Sequence, residues 1–166
     1  MKYWILRPSP EFRLADWLRD FNWLSDDRLS DDWEIESGKG KPEAGDHIFL
    51  WYEEAPEASG IAAQGKAVDL PKIFPLAGRK PGYCKEEEKE RNATGMRYFA
   101  VKYIRFCMAQ PVTKKELADG EATRKMLILL EQKELATAIP EAAGKYIEML
   151  LRSRTTMIDL TYCQTG

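Results

Sequence analysis

The run from His47 to Tyr52 constrains the fold of this chain more than any other segment. It reads His-Ile-Phe-Leu-Trp-Tyr and follows the turn-forming residues Glu43 to Asp46. Aromatic and branched apolar side chains in succession favour a strand near the centre of a sheet. The residues from Gly60 to Val68 follow a polar turn and predict its antiparallel neighbour. The glycines and alanines of this second strand leave room for a close approach to its backbone.

Weaker patterns on either side predict the remaining elements. We expect strands at 2–6, 33–36 and 96–106, helices at 10–24, 122–136 and 140–152, an acidic turn region at 25–32 and a turn-rich segment from 117. Apolar residues at three- and four-residue steps indicate the helices, and alternation indicates the strands. Because strands and helices interleave irregularly, the sequence predicts a mixed α+β domain built on a small, strongly curved sheet or barrel.

Length and composition fit one folded domain. The chain has 166 residues, 44% of them hydrophobic, and 25 Lys and Arg stand against 27 Asp and Glu. A domain of this size buries roughly 70% of its unfolded surface, so a core forms without disulfides or metals. No run approaches the ~20 apolar residues of a membrane helix, and the N-terminus lacks the apolar segment of a signal peptide. We therefore expect one cytoplasmic domain spanning residues 1–166.

Histidine and cysteine are too scarce for several kinds of catalytic site. His47 is the single histidine, and Cys84, Cys107 and Cys163 are widely spaced with no C-x-x-C pair. Zinc hydrolases, zinc deaminases and disulfide frameworks are therefore excluded, and the sequence predicts neither a metal nor another cofactor. The Gly-Lys-Gly-Lys loop at 38–41 lacks the spacing of a P-loop.

Charge is distributed unevenly along the chain. Residues 71–125 carry 13 positive and 7 negative side chains, a net of +6, whereas residues 1–70 are acidic. Screening over ~8 Å lets one basic face attract phosphates although the whole chain is slightly acidic. Such a segment is either a solvated lysine-rich loop or a surface that binds nucleic acid.

The five tryptophans fall into two groups. Trp4, in the first predicted strand, and Trp17, on the apolar stripe of the first helix, are expected in the core. Trp33 and Trp51 flank a glycine- and lysine-rich loop at strand ends, where we expect half-exposed rings, and Trp23 is a weaker candidate. An exposed indole stacks on a nucleobase with a gain of ~1–3 kcal/mol.

Several short motifs occur in an order that is typical of one family. They are Tyr-Trp-Ile-Leu at 3–6, Trp-Glu-Ile at 33–35, Gly-Lys-Gly-Lys at 38–41, the runs at 44–52 and 60–68, and Val-Lys-Tyr-Ile at 101–104. Together they resemble an EVE domain, a PUA-like fold that is related to YTH domains and is found in modification-dependent restriction endonucleases. The resemblance extends over residues 2–151. It implies a pseudo-barrel of five to six strands flanked by helices, without catalytic residues.

The resemblance also implies where a nucleic acid would bind. An aromatic pocket would accept a modified base that is flipped out of its strand. The pocket residues implied here are Trp33, Ser37, Lys39, Trp51 and Trp23. The insert from Lys72 to Thr94 is absent from compact members of the family and is suited to holding a phosphate backbone. The expected phosphate contacts are Lys72, Arg79, Lys80, Lys85, Arg91 and Arg97. Gly45 and Asp46 also match and are expected to form a turn and a strand cap.

Three functions remain open at this point. The first is a reader of 5-methylcytosine or 5-hydroxymethylcytosine in double-stranded DNA, the targeting module of a modification-dependent restriction endonuclease whose nuclease is a separate domain. A close variant is a modified-RNA-binding or RNA-processing PUA-like protein. The second is an enzyme with Asp46, His47 or a buried glutamate as acid or base. The third is a protein-interaction domain whose aromatic residues all lie in the core.

Overall fold

The computed structural model describes seven stretches of the chain. They are residues 1–7, 30–35, 40–53, 59–68, 97–107, 110–132 and 134–154, with the backbone alone at 30–35, at 97–100 and at 106. The predicted helix at 10–24, with Trp17, and the insert from Lys72 to Thr94 lie outside these stretches. Among the described helices, none has the length and apolar character needed to span a membrane.

The described residues form seven strands and three helices. In chain order these are β1 (Tyr3–Leu6), β2 (Ser30–Ile35), β3 (His47–Glu53), β4 (Ser59–Val68), β5 (Arg97–Phe106), β6 (Val112–Thr113), α1 (Lys114–Asp119), α2 (Glu121–Leu130), β7 (Ala136–Ile139) and α3 (Glu141–Arg152). The strands join into one mixed sheet, in which six follow the order β2-β5-β4-β3-β1-β7 and β6 pairs with β4. The prediction of an α+β fold on a curved sheet is therefore confirmed.

The hairpin of β3 and β4 forms the centre of the sheet, as predicted. The two strands are antiparallel, β1 runs parallel to β3 on one side, and β5 is antiparallel to β4 on the other. Gly65 lies where the register between β4 and β5 shifts, and a Cβ there would lie 2.7 Å from the carbonyl oxygen of Lys102. A side chain at position 65 would therefore push the two strands apart, which is the close approach expected from its glycine.

The three helices cover one face of the sheet. Their shared core contains Tyr3, Ile5, Phe49, Trp51, Ile61, Cys107, Val112, Leu117, Met126, Leu130, Ile139, Ala143, Ile147 and Leu151. Helix α3 packs closely on β1, because a Cβ at Gly144 would lie 2.2 Å from the ring of Tyr3. Burial of each large aliphatic side chain in this layer contributes about 1.5–3 kcal/mol, which fixes α3 against the strands.

The prediction of a turn-rich segment from Leu117 is wrong. Helix α1 occupies Lys114–Asp119 and begins with a capping box, in which Thr113 and Glu116 each bind the other's backbone N–H. Two N–H groups that the first turn leaves without helical partners are thereby satisfied, so a helix of only six residues is held at its start. Leu117 itself is fully buried and fastens the helix to the core.

Two other boundaries differ from the prediction. The helix expected at 122–136 ends at Leu130, and the residues Ala136–Ile139 instead form β7, antiparallel to β1 at the edge of the sheet. Strand β2 begins at Ser30, inside the predicted turn region, because Ser30 to Asp32 pair with β5. Both errors come from strand partners that are distant in the sequence, which override weak local preferences.

Candidate nucleic-acid site

Strand β2 places Trp33 next to one of the predicted phosphate contacts. Trp33 pairs with Phe99 of β5, and two positions further along β2, Ile35 pairs with Arg97. Two residues along a strand span about 7 Å. The backbones of Trp33 and Arg97 therefore lie close together on β2 and its neighbour β5, and the roles predicted for their side chains remain predictions.

The other predicted nucleic-acid contacts lie mostly outside the described residues. These are Trp23, Ser37 and Lys39 of the pocket, and Lys72, Arg79, Lys80, Lys85 and Arg91 of the phosphate surface. Their roles remain predictions.

Trp51 is not the half-exposed ring that its position in the sequence suggested. Its side chain is only 3% exposed and belongs to the core beneath the helices. The register of β3 and β4 shifts between Leu50 and Trp51, and β3 has a neighbouring strand on each side. A central strand covered by helices offers no open ring face, so the expected exposure of Trp51 is wrong. Among the described residues, its buried indole Nε1 has no hydrogen-bond partner.

Gly45 and Asp46 form the turn and strand cap that were predicted. Gly45 has φ +95°, a conformation that glycine adopts without a steric penalty. The carboxylate of Asp46 accepts hydrogen bonds from the backbone N–H of Lys2 at 2.8 Å, from that of Glu43 at 3.1 Å and from Trp4 Nε1 at 2.9 Å. Trp4 is buried, as predicted for a core residue.

These contacts argue against an acid–base role for Asp46. Burial alone raises the pKa of the carboxyl, but the hydrogen bonds from Lys2, Glu43 and Trp4 outweigh it, and the pKa lies below its ordinary value. The group is ionised at neutral pH and both of its oxygens accept hydrogen bonds from this chain. Asp46 therefore links β1 to the turn before β3.

His47 belongs to a polar cluster under α3. Its ring stacks on Tyr3 with centroids 4.5 Å apart, and its Nδ1 lies 3.0 Å from Glu148 Oε1 without the alignment of a hydrogen bond. Gln64 Nε2 donates to Glu148 Oε1 at 3.1 Å, and the Tyr3 hydroxyl donates to Oε2 at 3.4 Å. Burial and the Glu148 carboxylate raise the pKa of Tyr3. The cluster thus connects α3 to three strands.

Cys107 does not have the properties of a catalytic nucleophile. The thiol is buried and donates to the carbonyl oxygen of Ala62 at 3.3 Å. Burial raises its pKa to about 11, so the reactive thiolate is scarce at neutral pH. Within the described stretches, no group of three or more His, Cys, Asp and Glu side chains is placed to bind a metal.

Sequence reasoning missed one group of cations on the sheet. Lys66 of β4 pairs with Lys102 of β5, and Gln64 of β4 pairs with Arg105 of β5. Both lysines are exposed and Arg105 is half-buried. The signal in the sequence was a charged residue between apolar neighbours in each strand, but the pairing depends on the register shift at Gly65. We call Lys66, Lys102 and Arg105 the basic strip.

No protein-family model matches this chain, and no curated protein has significant sequence similarity to it. Solved structures do resemble it. A hypothetical protein from Leishmania major superposes with a TM-score of 0.57 and 14% identity, over 92% of this chain and 95% of that one. Human THYN1, solved in complex with 5-methylcytosine-containing DNA, superposes with a TM-score of 0.56 and 18% identity, over 93% of this chain and 99% of that one. A protein from Pseudomonas syringae superposes with a TM-score of 0.54 and 15% identity, over 89% of this chain and 98% of that one. These similarities show an EVE-like fold.

Proposed function

We propose that this chain is a reader of modified cytosine in double-stranded DNA, a binding domain without catalytic activity. The observation that carries the proposal is the fold, which is shared over 93% of the chain with a human protein solved with 5-methylcytosine-containing DNA. The position of Trp33 on the edge strand β2, with Arg97 paired two positions away, supports it.

In this proposal the modified base is flipped out of the duplex and stacks on Trp33, with Ser37, Lys39 and Trp23 as further pocket residues. Flipping costs a few kcal/mol, which stacking at about 1–3 kcal/mol, hydrogen bonds to the base edge and phosphate contacts offset. Burial of one methyl group contributes about 0.8 kcal/mol, or roughly fourfold in affinity. A larger preference for the modified base requires a pocket whose shape penalises its absence.

The experiment is a pair of substitutions at one position. Trp33→Ala removes the stacking surface, whereas Trp33→Phe keeps an aromatic ring. We expect the alanine variant to bind methylated and unmodified duplexes equally and the phenylalanine variant to retain part of the preference. An alanine variant that still prefers the methylated duplex would exclude Trp33 from the pocket.

We further propose that this domain directs a modification-dependent restriction endonuclease to modified DNA. The nuclease lies in a separate domain. The experiment uses the full-length protein and a plasmid in methylated and unmethylated forms. Cleavage confined to the methylated plasmid supports the proposal, and equal cleavage of both contradicts it. Modified RNA is the alternative target, and the same titrations with methylated RNA of identical sequence distinguish the two.

A further inference from the structure

The basic strip brings like charges together on an open part of the sheet. Strand partners that face each other directly have Cβ atoms about 4.5–5.5 Å apart, and like charges in such a pair destabilise the sheet. Lys66 and Lys102 are a pair of this kind. Both side chains are exposed, and within the described part of the chain neither has an ion-pair partner. An arrangement that is unfavourable in the free protein becomes favourable when an anion binds between the cations.

Acidic residues flank the strip on two sides. Strand β2, on the far side of β5, pairs Ser30 with Lys102, Asp31 with Val101 and Asp32 with Ala100. On the other edge of β4, which faces β3, Lys66 pairs with His47. The acidic side chain beside His47 is Glu148, which is contacted by the Tyr3 hydroxyl, by the Gln64 amide and by His47 itself. The Glu148 carboxylate is thereby bound by side chains of β1, β3 and β4. Arg105, opposite Gln64, extends the positive charge along β5.

We propose that the basic strip binds phosphates of a nucleic-acid backbone, as a second contact surface besides Arg97 and the insert from Lys72 to Thr94. The occupant follows from charge complementarity, because three cations on two adjacent strands match a ligand with closely repeated negative charges. Strand β5 also carries Phe99, the partner of Trp33, so that the strip and the proposed pocket share one strand. This inference depends on nucleic-acid binding in the proposed function, but not on recognition of the modified base.

The test compares two triple variants that remove the same charge. One is Lys66→Gln with Lys102→Gln and Arg105→Gln. The control is Lys114→Gln with Lys115→Gln and Lys125→Gln, three exposed lysines on α1 and α2. Affinity for an unmodified duplex and for its methylated form is measured by fluorescence anisotropy at several salt concentrations. Thermal unfolding of each variant without DNA establishes that it is folded.

The strip variant is expected to bind both duplexes at least several-fold more weakly, with an unchanged ratio between them. The slope of log affinity against log salt should become shallower by about 2–3, because each phosphate contact contributes about 0.9. The control should keep the wild-type slope. Because the facing lysines repel each other, the strip variant should unfold at the same temperature as the wild type or at a higher one.

Results that contradict the basic strip differ from results that contradict recognition of modified cytosine. A strip variant with the wild-type slope and affinity overturns the strip alone. A wild-type protein that binds duplexes without preferring the methylated one overturns the reader and leaves the strip supported if the slopes differ as expected. A wild-type protein that binds no duplex overturns both. A parallel anisotropy titration with polyglutamate tests an acidic protein as the partner instead. A strip variant that loses polyglutamate binding but keeps full DNA binding also overturns the strip.

Discussion

The indole Nε1 of Trp4 donates a hydrogen bond of 2.9 Å to the carboxylate of Asp46, 42 residues away in the sequence. The same carboxylate accepts from the backbone N–H of Lys2, so one side chain fixes the start of β1 against the turn before β3. The parallel pairing of these two strands begins at this point, where Tyr3 faces His47. The arrangement makes Asp46 a determinant of stability.

Replacement of Asp46 by Asn should lower the free energy of unfolding by about 1–3 kcal/mol at pH 7, because an amide nitrogen then faces donors that need an acceptor. The pKa of Asp46 is depressed in the folded chain. Its contribution is therefore complete above the unfolded pKa of about 3.9 and is lost as the pH falls through the lower folded pKa. Urea unfolding of both proteins between about pH 2 and pH 7, a range that spans the ordinary pKa of a carboxyl group, measures the difference in their free energy of unfolding.

Glu43→Gln is the matched control for this experiment, since its side chain is exposed and close in sequence. It should change the unfolding free energy by less than about 0.5 kcal/mol. Equal losses in the two variants, or a loss in the Asn variant that does not shrink in acid, would contradict the role assigned to Asp46.

Gly144→Ala should destabilise the chain although alanine is the better helix former. The new Cβ would lie 2.2 Å from the ring of Tyr3, so either the ring or α3 has to move. Overpacking of this kind costs about 1–3 kcal/mol, which exceeds the ~1 kcal/mol gained in helix propensity. Thermal or urea unfolding measures the result.

The comparison variant is Ala142→Gly, at an exposed position of the same helix. It should lose about 1 kcal/mol through propensity alone. A Gly144→Ala protein more stable than the wild type would show that α3 does not pack on Tyr3 as described.

Thr113→Ala should lower stability by about 1 kcal/mol, because it removes the hydroxyl that caps α1. Glu116 completes the capping box and also accepts a hydrogen bond from Arg154. Although burial raises the pKa of Glu116, the hydrogen bonds from Thr113 and Arg154 lower it overall. The stability that Glu116 adds is therefore present at neutral pH and is lost as the pH falls through its depressed folded pKa.

The double variant Thr113→Ala with Glu116→Ala checks this capping box. Because the Thr113 hydroxyl also donates a hydrogen bond of 3.0 Å to Glu116 Oε2, the loss in the double variant should be smaller than the sum of the single losses. Denaturant unfolding of the four proteins gives the coupling energy. Strict additivity would mean that the hydrogen bond between the Thr113 and Glu116 side chains does not form in solution.

The central hairpin could be predicted because its information is local. His47 to Tyr52 and Gly60 to Val68 each carry strong strand preferences, and a short polar turn joins them. The turn at Gly45 could be predicted for the same reason, since few residues other than glycine adopt its positive φ. Helix α1 was missed although its signal, a threonine three residues before a glutamate, is present at Thr113 and Glu116.

The features that could not be predicted depend on distant parts of the chain. Residues Ala136–Ile139 become a strand because β1 has an open edge to pair with. Trp51 is buried because strands on both sides and the helices close over it, which no local pattern reports. Lys66 and Lys102 face each other only because the register shifts at Gly65. In each case the deciding partner lies far away in the sequence.

The most direct measurement of the proposed function is the affinity ratio for two duplexes that differ in one base. One contains a single 5-methylcytosine and the other cytosine at the same position, and both are titrated into the wild-type chain at several salt concentrations. We predict tighter binding of the methylated duplex, with a ratio that does not change with salt, because the methyl group is recognised without a phosphate contact. Equal affinities at every salt concentration would contradict the account.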